Sequence, residues 1–141
     1  MVVVDTETLP PELRAMWEDL VESEELIQRL EEEIEKTMNR IKEVASEALK
    51  GYIEWKWVKN KIGVKYWYWY YRWRENNKLK SKYLGLEIPE WVRRGLENKR
   101  EWRILVKRLK ELQRAYYMAL KLRSEGHQKI SLASVYARMR L

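Results

Sequence analysis

Residues 52–84 have the sequence YIEWKWVKNKIGVKYWYWYYRWRENNKLKSKYL, and this stretch decides the fold. It contains three runs that are rich in β-branched and aromatic residues, in which alternate positions differ in character. The runs are 52–58, 64–74 and 78–84. Turn-forming residues separate the runs at 59–63 and 75–77, and alternation between turn signals is typical of β-strands. The stretch therefore predicts a three-stranded antiparallel β-meander over residues 52–86.

The chain that precedes the meander shows a seven-residue repeat. Across residues 16–48, apolar or small residues recur at alternating steps of four and three, which is typical of a helix with a heptad seam. The Pro10–Pro11 pair suits a first helical turn, and Gly51 suits a left-handed C-terminal stop. We therefore expect an N-terminal arm at 1–9 and one helix over 10–50. The predicted seam residues of this helix include Leu20, Ile27, Leu30, Ile34 and Ile41.

A second helix is expected after the meander, over residues 89–125. Pro89 and the following glutamate favour its first turn, and the basic residues near its end suit the negative pole of the helix dipole. The predicted seam residues are Leu105, Leu109, Leu112 and Tyr116. Gly95 marks a candidate break early in this helix. A short C-terminal helix is expected over 130–140.

Together these elements predict an α+β fold that is mostly α, in a single domain over residues 1–141. Two long antiparallel helices form a coiled-coil-like hairpin, and the meander joins them. An isolated helical hairpin has too small a core to cover its own seam. We therefore expect a homodimer that closes a four-helix bundle, or alternatively a C-terminal helix that covers the seam within one chain.

The alternation sorts the side chains of the meander onto two faces. If residues of the same parity pair across both turns, the odd positions form a tryptophan-rich face that packs on the helix ends near Leu49, Trp91 and Val92. The even positions then form an aromatic and basic face that suits phosphate groups. The candidate nucleic-acid-binding residues of that face are Lys56, Tyr66, Tyr68, Tyr70, Arg72, Arg74, Lys78, Lys80 and Lys82.

The second turn allows another register. Asparagine tolerates positive φ, so Asn76–Asn77 can form a two-residue type I′ turn. Trp73 then opposes Lys80 and Arg72 opposes Ser81, which mixes basic residues between the faces. Both registers keep the meander basic, but they expose different surfaces.

Charge is divided unevenly along the chain. Residues 1–50 carry 14 acidic and 6 basic residues, whereas residues 51–141 carry 8 acidic and 23 basic residues. Such a division indicates either an acidic segment that neutralises a basic one or a basic surface that binds an anion. The chain as a whole has a net charge of +7.

Several classes of protein are disfavoured by composition. The chain has no cysteine, which excludes disulfides, thiol catalysis and cysteine-based metal sites, and its one histidine, His127, excludes a multi-histidine zinc site. It also lacks a glycine-rich phosphate loop and a Ser/His/Asp set. We expect no catalytic residue, no metal, no cofactor and no small-molecule substrate, and hence no enzyme.

Location and source follow from the same composition. The chain contains no apolar run of about 20 residues, which a membrane-spanning helix needs, and no signal-peptide pattern at its N-terminus. We therefore expect a cytoplasmic protein that does not bind membranes. The high content of Glu, Lys and Arg is typical of proteins from thermophiles, and an archaeal source is expected.

The stretch YWYWYYRWRENNKLKSKYLG, residues 66–85, resembles an uncharacterised prokaryotic family. Members have an aromatic strand, a tight turn and a Lys-Ser-Lys-Tyr-Leu-Gly-like strand before a charged helix. The same rhythm is similar, more weakly, to the three-stranded arm-type DNA-binding domain of tyrosine recombinases. The resemblance covers about 35 of the 141 residues and implies a DNA-binding role and an association with mobile elements. Nothing in the chain matches a recombinase catalytic domain.

The sequence therefore predicts a nucleic-acid-binding protein, with double-stranded DNA favoured and phosphate contacts dominant. The alternative is a coiled-coil module that docks another protein and has no role with nucleic acid. Basic residues of the third strand favour the first hypothesis, because a surface that binds only protein does not need them.

Overall fold

The computed structural model describes residues 5–140, so positions 1–4 of the predicted arm lie outside the described residues. The described residues have an α+β fold with four α-helices, a three-stranded antiparallel sheet and a two-stranded sheet. In chain order the elements are α1 (Pro11–Ala15), β1 (Val21–Glu22), α2 (Ser23–Glu47), β2 (Tyr52–Lys59), β3 (Lys65–Glu75), β4 (Lys78–Gly85), α3 (Glu90–Ser124), β5 (Lys129–Ile130) and α4 (Leu132–Met139). A 3₁₀ turn, Thr6–Thr8, precedes α1.

The described residues fall into two compact units. The terminal unit comprises residues up to Lys42 together with those from Ile104 onwards, and the central unit is Glu43–Arg103. Helices α2 and α3 each contribute residues to both units. The single domain expected from the chain length stays a prediction.

The core of the terminal unit contains apolar residues of the α2 and α3 seams. Residues three and four positions apart lie on one face of a helix, so each seam can bury its apolar side chains. The buried residues that the two helices contribute to this core are Leu26, Ile27 and Leu30 of α2 and Leu112, Ala115, Ala119 and Leu122 of α3. Arg123 pairs with Glu24, and the Tyr116 hydroxyl donates to Glu31 at 2.8 Å. The two helix segments are therefore antiparallel within this unit.

The prediction of one helix over 10–50 is wrong at its N-terminal end, because α1 and α2 are separate helices. Between them the backbone finds partners in the C-terminal segment. The Trp17 carbonyl accepts from the Ala133 amide at 2.8 Å, and Val21 pairs with Ile130 in the two-stranded sheet. These partners lie more than a hundred positions along the chain, so a local repeat does not reveal them.

Because the helix is interrupted between α1 and α2, the leucine that is buried differs from the predicted one. Leu20, predicted in the seam, lies outside any helix and is 70% exposed. Leu13 of α1 is fully buried and belongs to the core. The other predicted seam residues are buried (Ile27, Leu30, Leu105, Leu112) or partly buried (Ile34, Ile41, Leu109, Tyr116).

The C-terminal helix predicted over 130–140 is formed as α4. A reciprocal pair of hydrogen bonds between Ser131 and Ser134 caps its N-terminus, so the helix start is fixed locally. Leu132, Val135 and Tyr136 enter the same core as the α2 and α3 seams. α1 and α4 therefore supply within one chain the kind of cover that a second copy was expected to provide.

Tyr136 places a hydroxyl in this core at a cost. The residue is 3% exposed, and its hydroxyl has no hydrogen-bond partner among the described residues. Burial, with a smaller contribution from the charge of Glu111, raises the pKa of Tyr136 to about 12. Both observations identify the same feature, a polar group that has lost its hydration without gaining a partner.

We expect Tyr136→Phe to raise the free energy of unfolding at neutral pH by about 1 kcal/mol, because it removes a buried unsatisfied hydroxyl. Because its pKa is raised, Tyr136 holds its proton more strongly in the folded protein than in the unfolded chain. The stability that this difference contributes is complete below the unfolded pKa of about 10 and is lost as pH rises towards the folded value. The wild type should thus lose about 2 kcal/mol more than the variant between about pH 9 and about pH 12. Urea unfolding across this range measures both effects, and a variant less stable than wild type at neutral pH would contradict them.

The central unit contains the three-stranded sheet, with strand order β2–β3–β4. Asn76 and Asn77, with φ of 51° and 62°, form the two-residue turn between β3 and β4. α3 continues through Gly95, so the predicted break is not formed. A Cβ at Gly95 would lie 2.9 Å from the Leu49 Cβ, and the Leu49 amide donates to the Gly95 carbonyl at 2.9 Å. Close packing against Leu49 therefore explains this glycine.

Candidate nucleic-acid interface

The strand register determines which side chains share a face of the sheet. Between β2 and β3, odd positions pair with odd and even with even, as predicted. Between β3 and β4, Trp73 pairs with Lys80 and Arg72 with Ser81. The structure thus adopts the register of the two-residue asparagine turn, and the same-parity alternative is not formed. One turn therefore moves every β4 side chain to the other face.

The two faces have different compositions. We call the first the tryptophan face, and its members are Ile53, Trp55, Trp57, Lys59, Lys65, Trp67, Trp69, Tyr71, Trp73, Glu75, Lys78, Lys80 and Lys82. We call the second the tyrosine face, and its members are Tyr52, Glu54, Lys56, Val58, Tyr66, Tyr68, Tyr70, Arg72, Arg74, Leu79, Ser81 and Tyr83. Six of the nine predicted binding residues lie on the tyrosine face, and the three lysines of β4 lie on the tryptophan face.

One end of the tryptophan face packs on α3, as predicted. The Tyr71 ring meets the Trp91 ring edge-on at 5.7 Å and stacks on Trp73 at 4.8 Å. The Lys82 ammonium lies 5.2 Å from the centroid of the Trp91 ring. The Tyr71 hydroxyl donates to the Lys50 carbonyl, and burial raises the pKa of this tyrosine. This end is therefore held within the central unit.

The other end of the tryptophan face is open to solvent. Trp55, Trp57 and Trp67, which we call the indole cluster, are 43%, 40% and 45% exposed. The rings of Trp55 and Trp67 lie nearly parallel, with centroids 6.2 Å apart. Lys59 and Lys65 are a cross-strand pair, with ammonium groups 5.8 and 4.5 Å from the centroid of the Trp57 ring. This end combines exposed aromatic surface with positive charge.

The tyrosine face has rings that contact one another. Tyr83 meets Tyr68 and Tyr70 edge-on, with centroids 5.2 and 5.7 Å apart. Arg72 forms an ion pair with Glu54 at 2.7 Å, and its side chain is only 20% exposed. Of the predicted cations of this face, Lys56 and Arg74 are exposed. Arg72 is therefore the least available of them for an external anion.

Comparison with known families gives a match to an uncharacterised family. A family described as a domain of unknown function, DUF6788, matches residues 20–94. The chain belongs to the DUF6788 family. The matched residues take in the three-stranded sheet and all of α2. No curated protein and no solved structure gives a significant match. The expected membership of an uncharacterised family is supported, and no similarity to tyrosine recombinases is shown.

The candidate interface of this DUF6788 protein also contains residues that were not predicted from the sequence. Lys59 and Lys65 were assigned to the turn and to the tryptophan face, and were not proposed as binding residues. The sequence did contain a signal that these lysines lie on the same face as Trp57, because all three residues are at odd positions of paired strands. Tyr83 lies on the tyrosine face, whereas the same-parity register would have placed it on the tryptophan face.

Outside the sheet, the described residues form no further candidate site. Among the described residues, no three His, Cys, Asp or Glu side chains lie close enough together to hold a metal ion. His127 is exposed in the segment after α3, and its amide donates to the Leu122 carbonyl. Within residues 5–140, no helix has both the length and the apolar character that crossing a bilayer requires.

Proposed function

We propose that this DUF6788 protein binds nucleic acid through its three-stranded sheet and catalyses no reaction. The observation that carries the proposal is a sheet with exposed rings and cations on both faces. Residues 52–85 contain nine lysines and arginines but only two glutamates. Both glutamates already pair with cations of the sheet, Glu54 with Arg72 and Glu75 with Lys80. The other seven cations form no ion pair within the described residues of the sheet, which leaves a net positive charge that an external anion could bind.

Phosphate groups suit this surface for two reasons. Lysine and arginine neutralise phosphates and release condensed counterions, which supplies most non-specific affinity for nucleic acid. Tyrosine hydroxyls and lysine ammonium groups are also common phosphate contacts in complexes with DNA. We therefore propose that phosphate contacts supply most of the affinity for nucleic acid. Duplex DNA is the form that the sequence favours, and the binding experiment compares it with a single strand.

A protein-docking scaffold is the second candidate. Ile62, in the β2–β3 turn, is 83% exposed, and Leu79 of β4 is 49% exposed. Contiguous exposed apolar surface marks interaction sites in general, and these exposed side chains are the ones that a docked protein would cover. This hypothesis predicts no salt-dependent affinity for nucleic acid.

The homodimer is a further proposal, and its support lies in the terminal unit. Met38 and Tyr117 remain 43% and 67% exposed and line a shallow cavity of about 300 Å³ together with Ile34 and Tyr116. A second copy could cover this surface in a four-helix bundle. Light scattering distinguishes a dimer from the 17.4 kDa monomer.

A charge-matched pair of variants tests nucleic-acid binding. Lys56→Gln/Arg74→Gln/Lys78→Gln removes three exposed cations of the sheet, for which the structure shows no ion pair among its described residues. Lys110→Gln/Arg114→Gln/Lys121→Gln removes the same charge from exposed positions of α3. We expect the wild type to bind labelled random-sequence oligonucleotides with log affinity falling linearly with log salt. The sheet variant should flatten this slope by about two to three units and bind at least ~10-fold more weakly.

Fluorescence anisotropy across salt concentrations, on a duplex and on one of its strands, gives the slopes. The α3 variant is expected to keep the wild-type slope. An equal loss in both variants would move the site away from the sheet. Absence of binding to either oligonucleotide at low salt would contradict the proposal and leave the docking scaffold.

A further inference from the structure

We propose that the indole cluster and the Lys59–Lys65 pair bind an unpaired nucleic-acid strand, by stacking its bases on tryptophan while the lysines contact its phosphates. This inference rests on the proposed nucleic-acid binding and narrows it to single-stranded ligands. It concerns Trp55, Trp57 and Trp67, the exposed end of the tryptophan face. A preference for single strands differs from the preference for duplex DNA that the sequence suggests.

The first support is the exposure of the three indoles. Tryptophan is among the largest side chains, and its burial usually contributes strongly to stability or to binding. Here three neighbouring tryptophans of paired strands each keep between 40% and 45% of their surface exposed. Trp69, next on the same face, packs at 5.1 Å on Trp55, so the cluster has support from within the sheet. The outer rings are thus held in place with surface left for a ligand.

The second support is the lysine pair beside the cluster. Lys59 and Lys65 are directly opposite in the β2–β3 ladder, and like charges in that position destabilise a sheet. Both ammonium groups lie near the Trp57 ring, and no carboxylate of the described residues forms an ion pair with either. An anion between them would relieve the repulsion. A ligand that meets this requirement carries negative charge within reach of a flat aromatic surface.

Nucleotides in an unpaired strand meet both requirements. Their bases present π-faces that stack on aromatic side chains with little dependence on sequence, and a phosphate follows each base. In a duplex the base faces are covered by neighbouring pairs, and only the base edges are accessible in the grooves. The exposed indoles therefore favour unpaired bases over a duplex.

Charge argues against a protein as the occupant of this end. The adjoining turn adds a further cation, Lys61, and residues 55–67 contain no acidic side chain. An acidic peptide would match the charge but offers no series of flat rings at the spacing of a nucleic-acid chain. The tyrosine face, by contrast, contacts itself through Tyr83 and neutralises Arg72 with Glu54.

The test compares Trp57→Leu/Trp67→Leu with a control variant on the opposite face, Tyr52→Leu. Tyr52 is 49% exposed and belongs to the same strand as Trp57. The probes are labelled oligo-dT, oligo-U and a random-sequence DNA duplex, measured by anisotropy with the full chain. Wild type should bind a single strand at least ~10-fold more tightly than the duplex. The double tryptophan variant should lose about 10- to 100-fold in single-strand affinity, whereas Tyr52→Leu should lose less than about threefold.

A second variant keeps the inference testable if the tryptophan variant does not fold. Lys59→Gln/Lys65→Gln leaves every ring in place and should flatten the salt dependence of single-strand binding by about 1.4 units, for two phosphate contacts. The difference between oligo-dT and oligo-U distinguishes DNA from RNA as the source of the strand.

The outcomes separate this inference from the proposed function. Duplex affinity equal to or greater than single-strand affinity would overturn the inference and leave nucleic-acid binding by the sheet intact. Unchanged single-strand binding in both the tryptophan and the lysine variants would also overturn it. If no probe binds at low salt, both proposals fail, and a protein partner becomes the remaining occupant.

Discussion

Gly51→Ala is expected to destabilise the central unit by about 3 kcal/mol or more, which is among the larger effects of single substitutions. Gly51 has φ of +100°, a conformation that costs an L-residue about 1–2 kcal/mol. A Cβ at this position would also lie 2.1 Å from the Arg72 carbonyl oxygen, so the backbone of β3 would have to move. The Gly51 carbonyl further accepts a hydrogen bond from Lys99. The start of β2 is therefore fixed from two sides.

Gly63→Ala is the matched control. Gly63 has a similar φ of +85°, but a Cβ there would meet no atom within 4 Å. We expect it to cost about 1 kcal/mol, since only the backbone conformation is affected. Seven of the eight tryptophans lie within residues 43–103, so tryptophan fluorescence during urea unfolding follows the central unit. An equal loss of unfolding free energy in the two variants would show that the close approach of β3 to Gly51 does not exclude a side chain there.

Features with a strong local signal were predictable from the sequence. The meander was predicted at 52–86 and is formed by β2, β3 and β4, because alternation and turn residues determine strands over short distances. α3 and α4 were placed within one or two residues of their observed bounds. Ile27 and Leu30 are buried as the heptad repeat predicted. In each case the information lies within a few residues of the feature.

Features that depend on distant parts of the chain were not predictable. The interruption between α1 and α2 depends on backbone partners near residues 128–133, which no local repeat indicates. The faces of β4 depend on the conformation of one turn, for which the sequence allowed two registers. A difference of one residue in register exchanges the faces, so Lys78, Lys80 and Lys82 moved together to the tryptophan face.

The candidate site was predictable in composition more than in geometry. The meander was recognised as basic and aromatic from its residues, and that property does not depend on register. The exposed indoles of Trp55, Trp57 and Trp67 were instead expected to pack on helix ends. The alternation of residues along a strand shows which side chains share a face. It does not indicate which part of that face is covered by another element. Contact with Trp91 is shown for Tyr71 and Lys82, which lie at the other end of the face.

The terminal unit provides a test of the interrupted helix through two identical substitutions. A continuous heptad seam predicts that Leu20→Ala is costly, whereas the structure predicts that Leu13→Ala is costly. Leu13 is fully buried beside Leu9 in the core, and Leu20 is 70% exposed. Because truncation of a buried leucine costs about 2–5 kcal/mol, we expect a loss in that range for Leu13→Ala. Leu20→Ala should change stability by no more than about 0.5 kcal/mol.

Urea unfolding followed by far-ultraviolet circular dichroism measures both costs on the same scale, and an unchanged m-value shows that the same surface is exposed on unfolding. The deleted atoms are the same in the two variants, so the difference in cost arises mainly from burial. Trp17 packs against the same core, with its ring centroid 5.4 Å from that of Tyr136. A larger loss of stability for Leu20→Ala than for Leu13→Ala would contradict the interruption and support one continuous helix. Such a helix would leave an exposed apolar seam that a second copy has to cover.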